Sequence, residues 1–158
     1  MVSSLESLSR ELLDRLTTED TRPTTTAGTH IVGGLVKTGA KLEALLRVIV
    51  QAVADADGVA PETILSPTGG RPLSLRRAMA GPLAHGLKSH LATRRGKPLP
   101  EELQPILRDV TRNDSSILQF ISVRNEIAKE GHEPRLARAP MQKLRRLVSE
   151  FRKNAGWS

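Results

Sequence analysis

The sequence predicts an all-α protein, and three observations support that fold class. Its hydrophobic residues, 38% of 158, are almost all Leu, Ile, Val and Ala, and its only aromatic residues are Phe120, Phe151 and Trp157. Strands are usually richer in aromatic side chains, so this core favours packed helices. Apolar residues also recur at helical spacing in several segments. The length suits one domain, and we expect a bundle of four to five helices plus an N-terminal helix.

The N-terminal segment predicts one helix followed by a linker. Residues 4–17 carry a leucine stripe at helical spacing, and Ser3 or Ser4 is a suitable N-cap. The stripe consists of Leu5, Leu8, Leu12, Leu13 and Leu16. Residues 18–29 are rich in Thr and contain Pro23 and Gly28, which indicates a loop. We therefore divide the chain into an N-terminal helix with its linker, residues 1–29, and a helical domain, residues 30–158.

A central helix is predicted over residues 31–56. Its apolar face is wide enough to contact several other helices. That face consists of Leu42, Leu45, Leu46, Ile49, Val50 and Val53. We expect the helix to end near Asp57 and Gly58, because glycine commonly terminates helices, and a loop to follow over residues 61–72.

The next helix is predicted over residues 73–94, with a kink near Gly81 and Pro82, since proline cannot donate a backbone hydrogen bond to the preceding turn. His85 and His90 lie on this helix. Their spacing of five places them on different sides, so surface or partly buried structural roles suit them better than a shared metal site.

Three further helices are predicted, over about residues 101–112, 115–130 and 140–154. Acidic residues at 101 and 102 suit the first turn of the first of these, and residues 113–116 supply a break before the second. The last helix is amphipathic. Its inward residues are Met141, Leu144, Leu147, Val148 and Phe151, and its outward residues are Lys143, Arg145, Arg146, Arg152 and Lys153.

An Arg-Asn pair interrupts the apolar face of the helix over 115–130. Ile117, Ile121, Arg124 and Ala128 share that face, so a cation stands where contact with neighbouring helices is expected. A cation there is costly unless something neutralises or uses it. Gly131 is a suitable helix terminator and His132 follows at once, so a turn could bring an imidazole back towards the helix end.

The charge is unevenly distributed along the chain. Residues 1–60 contain six Lys or Arg and eight Asp or Glu, whereas residues 61–158 contain eighteen and nine. An anionic partner such as RNA would therefore dock on the second part. The candidate binding residues there are Arg76, Arg77, Lys88, Asn125 and Lys129. The alternative is a basic helical surface that is simply solvated, because no aromatic stacking platform accompanies it.

Several classes of protein are disfavoured by the composition. The chain has no Cys, which excludes a disulfide framework and a thiolate zinc site. Its four histidines show no HExxH pairing, so we expect neither a metal nor another cofactor. The N-terminus lacks a signal-peptide pattern and no segment is long and apolar enough to span a bilayer. We expect a cytoplasmic protein without a membrane partner, and the Ala, Arg and Leu usage is typical of bacteria.

Three segments together resemble the HEPN superfamily, the helical domains named for higher eukaryotes and prokaryotes nucleotide-binding. They are Leu42–Arg47 on the central helix, Leu83–Leu87 on a middle helix and Val123–Ala128 on the penultimate helix. The resemblance covers about residues 31–150. It implies an HEPN-like bundle, often a homodimer, in bacterial defence or toxin-antitoxin systems. In the nuclease members, an Arg and a His a few residues later cleave RNA without a metal.

The chain departs from the nuclease pattern after Arg124. Lys129 stands where the resemblance places His, and lysine is a poor proton shuttle near neutral pH. Seven residues separate Arg124 from His132, which would lie about 12 Å apart along an unbroken helix. The chain also lacks the Tyr of the tyrosine-regulated toxins.

We therefore expect a degenerate site in a module that binds a protein partner or RNA. One alternative is an active endoribonuclease, in which Arg124 stabilises phosphate and His132 acts as acid or base, while Asn125 and Lys129 orient the RNA. Another is a noncatalytic RNA-binding bundle. In a purely structural role, Arg124 and Asn125 would hydrogen-bond a loop or a facing carboxylate such as Glu43.

Overall fold

A computed structural model describes residues 2–21, 28–65, 73–130 and 134–157. These residues form helices and connecting turns without a β-strand, which confirms the predicted fold class. The α-helices are α1 Val2–Thr21, α2 Gly28–Asp57, α3 Pro61–Leu65, α4 Ala80–Thr93, α5 Gln104–Thr111, α6 Ser116–Glu130 and α7 Arg138–Asn154. Single 3₁₀ turns, Glu101–Leu103 and Pro134–Ala137, precede α5 and α7.

Helix α2 lies at the centre of the bundle and contacts α1, α3, α4 and α6. Its predicted apolar face is confirmed, because every residue of that face is fully or almost fully buried. Both α1 and α2 extend into the predicted linker, of which residues 22–27 lie outside the described chain. Burial of this face fixes the orientation of α2. One of the remaining sides of the helix, which includes Gly39, lies at the candidate site.

Helix α1 packs against α2 and α7, and its residues Leu5, Leu12 and Leu16 are buried in the common core. The predicted outward position of Arg152 on α7 is wrong, since Arg152 is 3% exposed. Its Nη1 donates to the Glu6 carbonyl at 2.9 Å and to Ser9 Oγ at 2.6 Å. Helix α1 covers this side of α7 and supplies polar acceptors, so a cation that the charge pattern assigned to solvent is buried.

The region between α2 and α4 differs from the prediction. Residues 61–65, expected in a loop, form α3, and residues 73–79, expected in a helix, form a turn before α4. The predicted kink at Pro82 is the start of a helix, because proline fits the first turn, where backbone N–H groups have no helical partner. Ile64 and Leu65 of α3 are buried.

Helices α5 and α6 meet at a corner built on Asp109. Its carboxylate accepts hydrogen bonds from Ser115 Oγ at 2.8 Å and from the backbone N–H groups of Ser116 and Ile117 at 2.9 and 3.1 Å. Ser115 Oγ also accepts from the Leu118 N–H at 3.2 Å and so caps α6. This corner sets the direction of α6, the helix that carries the Arg-Asn pair.

Candidate functional site

Arg124 and Asn125 lie on the last two turns of α6 and are both half-buried. The Arg124 guanidinium donates from Nη2 to Asn125 Oδ1 at 2.8 Å. Within the described chain this is the only hydrogen bond that Arg124 makes. A guanidinium has five N–H donors, so this arrangement leaves most of them available to water or a ligand.

The Arg124 side chain lies against Gly39 on α2. A Cβ atom built on Gly39 would stand 2.7 Å from Arg124 Cδ and would also overlap Nη1. With Arg124 in this position only glycine fits at residue 39, so Gly39 forms a notch in α2 that receives the stem and head of the Arg124 side chain. The cation on the predicted apolar face of α6 is therefore accommodated at the α2–α6 contact.

Glu43, the carboxylate that we considered as a partner for Arg124, belongs to another pair. Arg47, one turn further along α2, donates to Glu43 Oε1. Arg47 also donates to the carbonyl oxygens of Leu75 at 3.2 Å and Ala78 at 3.1 Å. No hydrogen bond joins Glu43 to Arg124 in the described part of the chain. These hydrogen bonds from Arg47 hold the turn before α4 against α2.

Gly39, Glu43 and Arg47 follow at intervals of four, so they lie along one side of α2. We call the surface along this side, with Arg124 and Asn125 at one end and residues 73–79 at the other, the α2 edge. The two ends are separated by about 12 Å along the helix axis. The α2 edge brings the Arg-Asn pair and a basic turn to the same side of the bundle.

Of the other predicted site residues, two lie on the α2 edge and two lie on α4 and α6. Arg76 and Arg77 are exposed on the turn that Arg47 holds, so they lie on the α2 edge. Lys88 is half-buried on α4, and Lys129 is exposed near the end of α6. His132 lies outside the described residues, so its distance from Arg124 stays a prediction.

A second polar cluster, Asp57 with His90 and Arg94, was not predicted from the sequence. It joins the end of α2 to the end of α4. His90 Nε2 lies 2.7 Å from Asp57 Oδ2. Arg94 donates from Nε to Oδ2 at 2.8 Å and from Nη2 to Oδ1 at 2.5 Å. The side chains are 7%, 17% and 14% exposed, respectively, so the cluster is largely withdrawn from solvent.

The electrostatics of this cluster are those of a tight ion pair. Hydrogen bonding from Arg94 and, more weakly, from His90 lowers the pKa of Asp57 from 3.8 to about 2, although burial opposes the shift. The same carboxylate raises the pKa of Arg94. Both carboxylate oxygens are occupied, and Arg94 Nη2 also donates to the Lys97 carbonyl at 2.5 Å. Asp57 therefore has little capacity left for a substrate.

Gly96 completes the packing around this ion pair. A Cβ at Gly96 would lie 2.5 Å from Asp57 Oδ1 and 2.6 Å from Arg94 Nη2.

One sequence signal pointed to the cluster, because His90 and Arg94 are four apart and thus share a face of α4. In the sequence we paired His90 with His85 and not with Arg94, so the cluster was missed. The structure confirms that the two histidines have different environments, since His85 is exposed and His90 is bonded to Asp57.

An open groove of about 340 Å³ lies beside the cluster, where α4 faces α5. It is lined by Leu91, Leu99 and Leu107 and by two arginines. Arg94 is committed to Asp57, and Arg108 Nε donates to the Gln104 carbonyl at 3.4 Å. Arg108 is then the remaining guanidinium of the groove, whereas the α2 edge carries Arg124, Arg76 and Arg77 and is the stronger candidate site.

Across the described ranges, no group of three or more His, Asp or Glu side chains is arranged to hold a metal ion. None of the described helices is long and apolar enough to cross a bilayer. Comparison with known proteins gives no match, whether to a family model, to a curated protein or to a solved structure. The function is therefore inferred from the sequence resemblance and from the geometry of this chain.

Proposed function

We propose that the protein is a noncatalytic, HEPN-like helical module that forms a homodimer and binds RNA or a protein partner. One observation carries this proposal: the Arg124 side chain occupies the Gly39 notch and its guanidinium is hydrogen-bonded to Asn125. An arginine held between two helices supports bundle packing whether or not a phosphate is present. Its position needs no catalytic role to explain it.

RNA cleavage without a metal needs a group that moves a proton, placed within hydrogen-bond reach of the reacting atoms. Within the described chain, the side chain that hydrogen-bonds to Arg124 is the amide of Asn125, which cannot serve as acid or base near neutral pH. Lys129 follows on the same helix, and no hydrogen bond joins it to Arg124 in the described part of the chain. The arrangement therefore favours binding over catalysis.

Exposed apolar side chains support the dimeric part of the proposal. Val36, Leu73, Met79 and Leu136 are 43–59% exposed, although each is large and hydrophobic. Val36 lies on α2, and Leu73 and Met79 flank the basic turn of the α2 edge. Self-association would remove such surface from water. A bacterial defence or toxin-antitoxin role and a cytoplasmic location are the setting that the resemblance implies.

The second candidate is a metal-independent endoribonuclease that uses Arg124 and His132. The observation in its favour is that Arg124 is half-exposed with a single hydrogen bond in the described chain, so its remaining donors could stabilise a phosphate in the transition state.

A cleavage assay separates the two candidates. Purified protein is incubated with a mixed RNA pool in chelator, alongside Arg124→Ala, His132→Ala and, as a matched control, Arg112→Ala, which removes an exposed arginine from the α5–α6 connection. We expect no cleavage by any of them, with all four proteins folded by circular dichroism. Cleavage that is lost in Arg124→Ala and His132→Ala but kept in Arg112→Ala would overturn the proposal.

Sedimentation tests the dimer. We expect the protein to sediment as a dimer at micromolar concentration, and Met79→Glu to shift it towards the monomer by placing a charge at an exposed apolar position. Arg112→Glu, a change of charge at an exposed position on the α5–α6 connection, is the control. A wild-type protein that remains monomeric at high concentration would remove the dimer from the proposal.

A further inference from the structure

The solvent-facing side of α7 carries a row of cations. Helix α7 packs against α1, α5 and α6, and all five predicted inward residues are buried. Arg138, Lys143, Arg146 and Lys153 are exposed on the opposite side, and we call them the cationic ridge. The exposed residues of α7 that are not in the ridge are Ala139, Glu150 and Asn154. Four cations thus share this surface with one carboxylate.

The ridge is long because it follows the exposed side of a helix. Residues 138–153 of α7 span about 22 Å at 1.5 Å per residue. B-form DNA advances about 3.4 Å per base pair and A-form RNA advances less, so the ridge spans roughly six or more base pairs of a duplex. Lys143 Nζ lies 3.4 Å from Gln119 Oε1 on α6, a weak contact between exposed groups that leaves the ammonium free to meet another anion.

The composition of the ridge indicates the kind of partner. A protein partner usually buries an apolar centre, and the exposed residues of α7 include no large apolar side chain. A membrane surface is bound by helices that insert their apolar face, and that face of α7 is already buried in the bundle. Clustered cations without an apolar centre are instead typical of a protein surface that binds a phosphate backbone.

Two further observations favour a duplex of RNA. The aromatic side chains nearest the ridge are Phe151, which is buried, and Trp157, which packs edge-on against Phe151 at 5.6 Å, so neither offers an open platform on which single-stranded bases could stack. Because α1, α5 and α6 pack along α7, only one side of the helix projects, and it cannot enter a groove deeply. The wide, shallow minor groove of A-form RNA can be contacted without deep insertion, whereas the major groove of B-DNA is read by an inserted helix.

We propose that the cationic ridge of α7 binds the phosphate backbone of double-stranded RNA without sequence preference. The inference deepens the proposed function, on which it rests, by naming the surface and the form of RNA. It involves residues on a different helix from Arg124, so the two proposals can be tested separately.

The test is a binding titration with a 20-base-pair RNA duplex at several salt concentrations. The ridge variant is Arg146→Gln with Lys153→Gln. The control is Lys37→Gln with Arg112→Gln, which removes the same charge from exposed positions on α2 and after α5. All these side chains are exposed, so we expect each variant to melt within a few degrees of the wild type.

We expect the ridge variant to bind at least tenfold more weakly at 100 mM salt. Its plot of log affinity against log salt should be less steep by about two, since each lost phosphate contact lowers that slope by about one. The control variant should retain the wild-type slope. Glu150→Gln should bind about twofold to threefold more tightly, because it removes the carboxylate of the ridge surface.

Equal losses in the ridge and control variants would mean that binding follows net charge alone, and would overturn the proposal. It would also be overturned if Arg76→Gln with Arg77→Gln weakened binding while the ridge variant did not, since RNA would then bind at the α2 edge. Tighter binding to a DNA duplex or a single strand would contradict the assigned ligand. RNA cleavage in the separate assay would refute the proposal that the module is noncatalytic. It would not affect the conclusion on RNA binding by the cationic ridge.

Discussion

Arg94 and Arg124 are both partly buried at contacts between helices, yet they are held in different ways. Arg94 makes two hydrogen bonds to the Asp57 carboxylate and a third to the Lys97 carbonyl. Arg124 makes one hydrogen bond, to a neutral amide beside it, and is otherwise held by the Gly39 notch. The first arginine is bound by charge and the second mainly by shape.

Because of this difference, Arg94 contributes to the stability of the fold, whereas Arg124 keeps donors available for a ligand. A bidentate arginine-carboxylate pair that is largely withdrawn from solvent resists disruption, because removing one partner leaves the other charge poorly solvated. An arginine with a single neutral partner loses less when it moves, and keeps donors for another ligand. The Asp57 cluster therefore serves the fold, and Arg124 is the better placed of the two to meet an anion.

The largest effect is expected for Asp57→Asn. The amide keeps the shape but not the charge, so Arg94 and His90 lose their ionic partner, and we expect the free energy of unfolding to fall by about 2 kcal/mol. Chemical denaturation at pH 7 measures this change. Asp55→Asn, an exposed change two residues earlier on α2, should stay within about 0.5 kcal/mol of the wild type. Similar losses in both variants would refute the special role of the cluster.

The same substitution, glycine to alanine, should have different effects in the two regions. Gly96→Ala places a methyl group against Asp57 Oδ1 and Arg94 Nη2, which are fixed by each other, and should cost about 1 kcal/mol. Gly39→Ala instead meets the Arg124 side chain, which can swing away, while the helix gains about 0.5–1 kcal/mol from the loss of a glycine. We expect Gly39→Ala to be neutral or slightly stabilising in a denaturation experiment. A larger loss for Gly39→Ala than for Gly96→Ala would reverse our assignment of the two arginines.

Acid should weaken the Asp57 cluster within a defined range of pH. The folded pKa of Asp57, about 2, lies below its ordinary value of 3.8, so the unfolded chain binds the proton more readily. The stabilisation is therefore complete above about pH 5 and is lost as the pH falls through 3.8 towards 2. Desolvation of the carboxylate offsets part of its hydrogen bonding to Arg94, so we expect a contribution on the order of 1 kcal/mol. The difference in stability between wild type and Asp57→Asn should therefore shrink as the pH falls through 3.8 towards 2.

The helices of this protein could be predicted where apolar spacing was strong. The stripes of α1, α2 and α7 were assigned correctly, because burial of a continuous face dominates the formation of such helices. The start of α4 was misplaced, since Pro82 fits either a kink or a first turn, and only packing around residues 73–79 decides between them. Arg152 was assigned to solvent because a sequence does not show which neighbouring helix supplies acceptors.

The candidate site was predicted only in part. The position of Arg124 on an otherwise apolar face predicted a special environment, and the Gly39 notch supplies one. Gly39 itself was undetectable from sequence, since a glycine in a helix gives no sign of which residue fills its space. The Asp57 cluster joins residues more than thirty positions apart, and such contacts follow from the packing of α2 on α4.

A smaller loss of stability than that of the Asp57 cluster is expected for Arg124→Ala. Removing Arg124 takes away one hydrogen bond to a half-exposed amide and part of the α2–α6 packing, so the loss should be about 0.5–1 kcal/mol. Arg94→Ala, measured in the same denaturation series, should lose at least twice as much, because it leaves the Asp57 carboxylate without its main partner. If Arg124→Ala were the more damaging, the Gly39 notch would be a principal support of the bundle. In that case the unused donors of Arg124 would no longer favour contact with an anion.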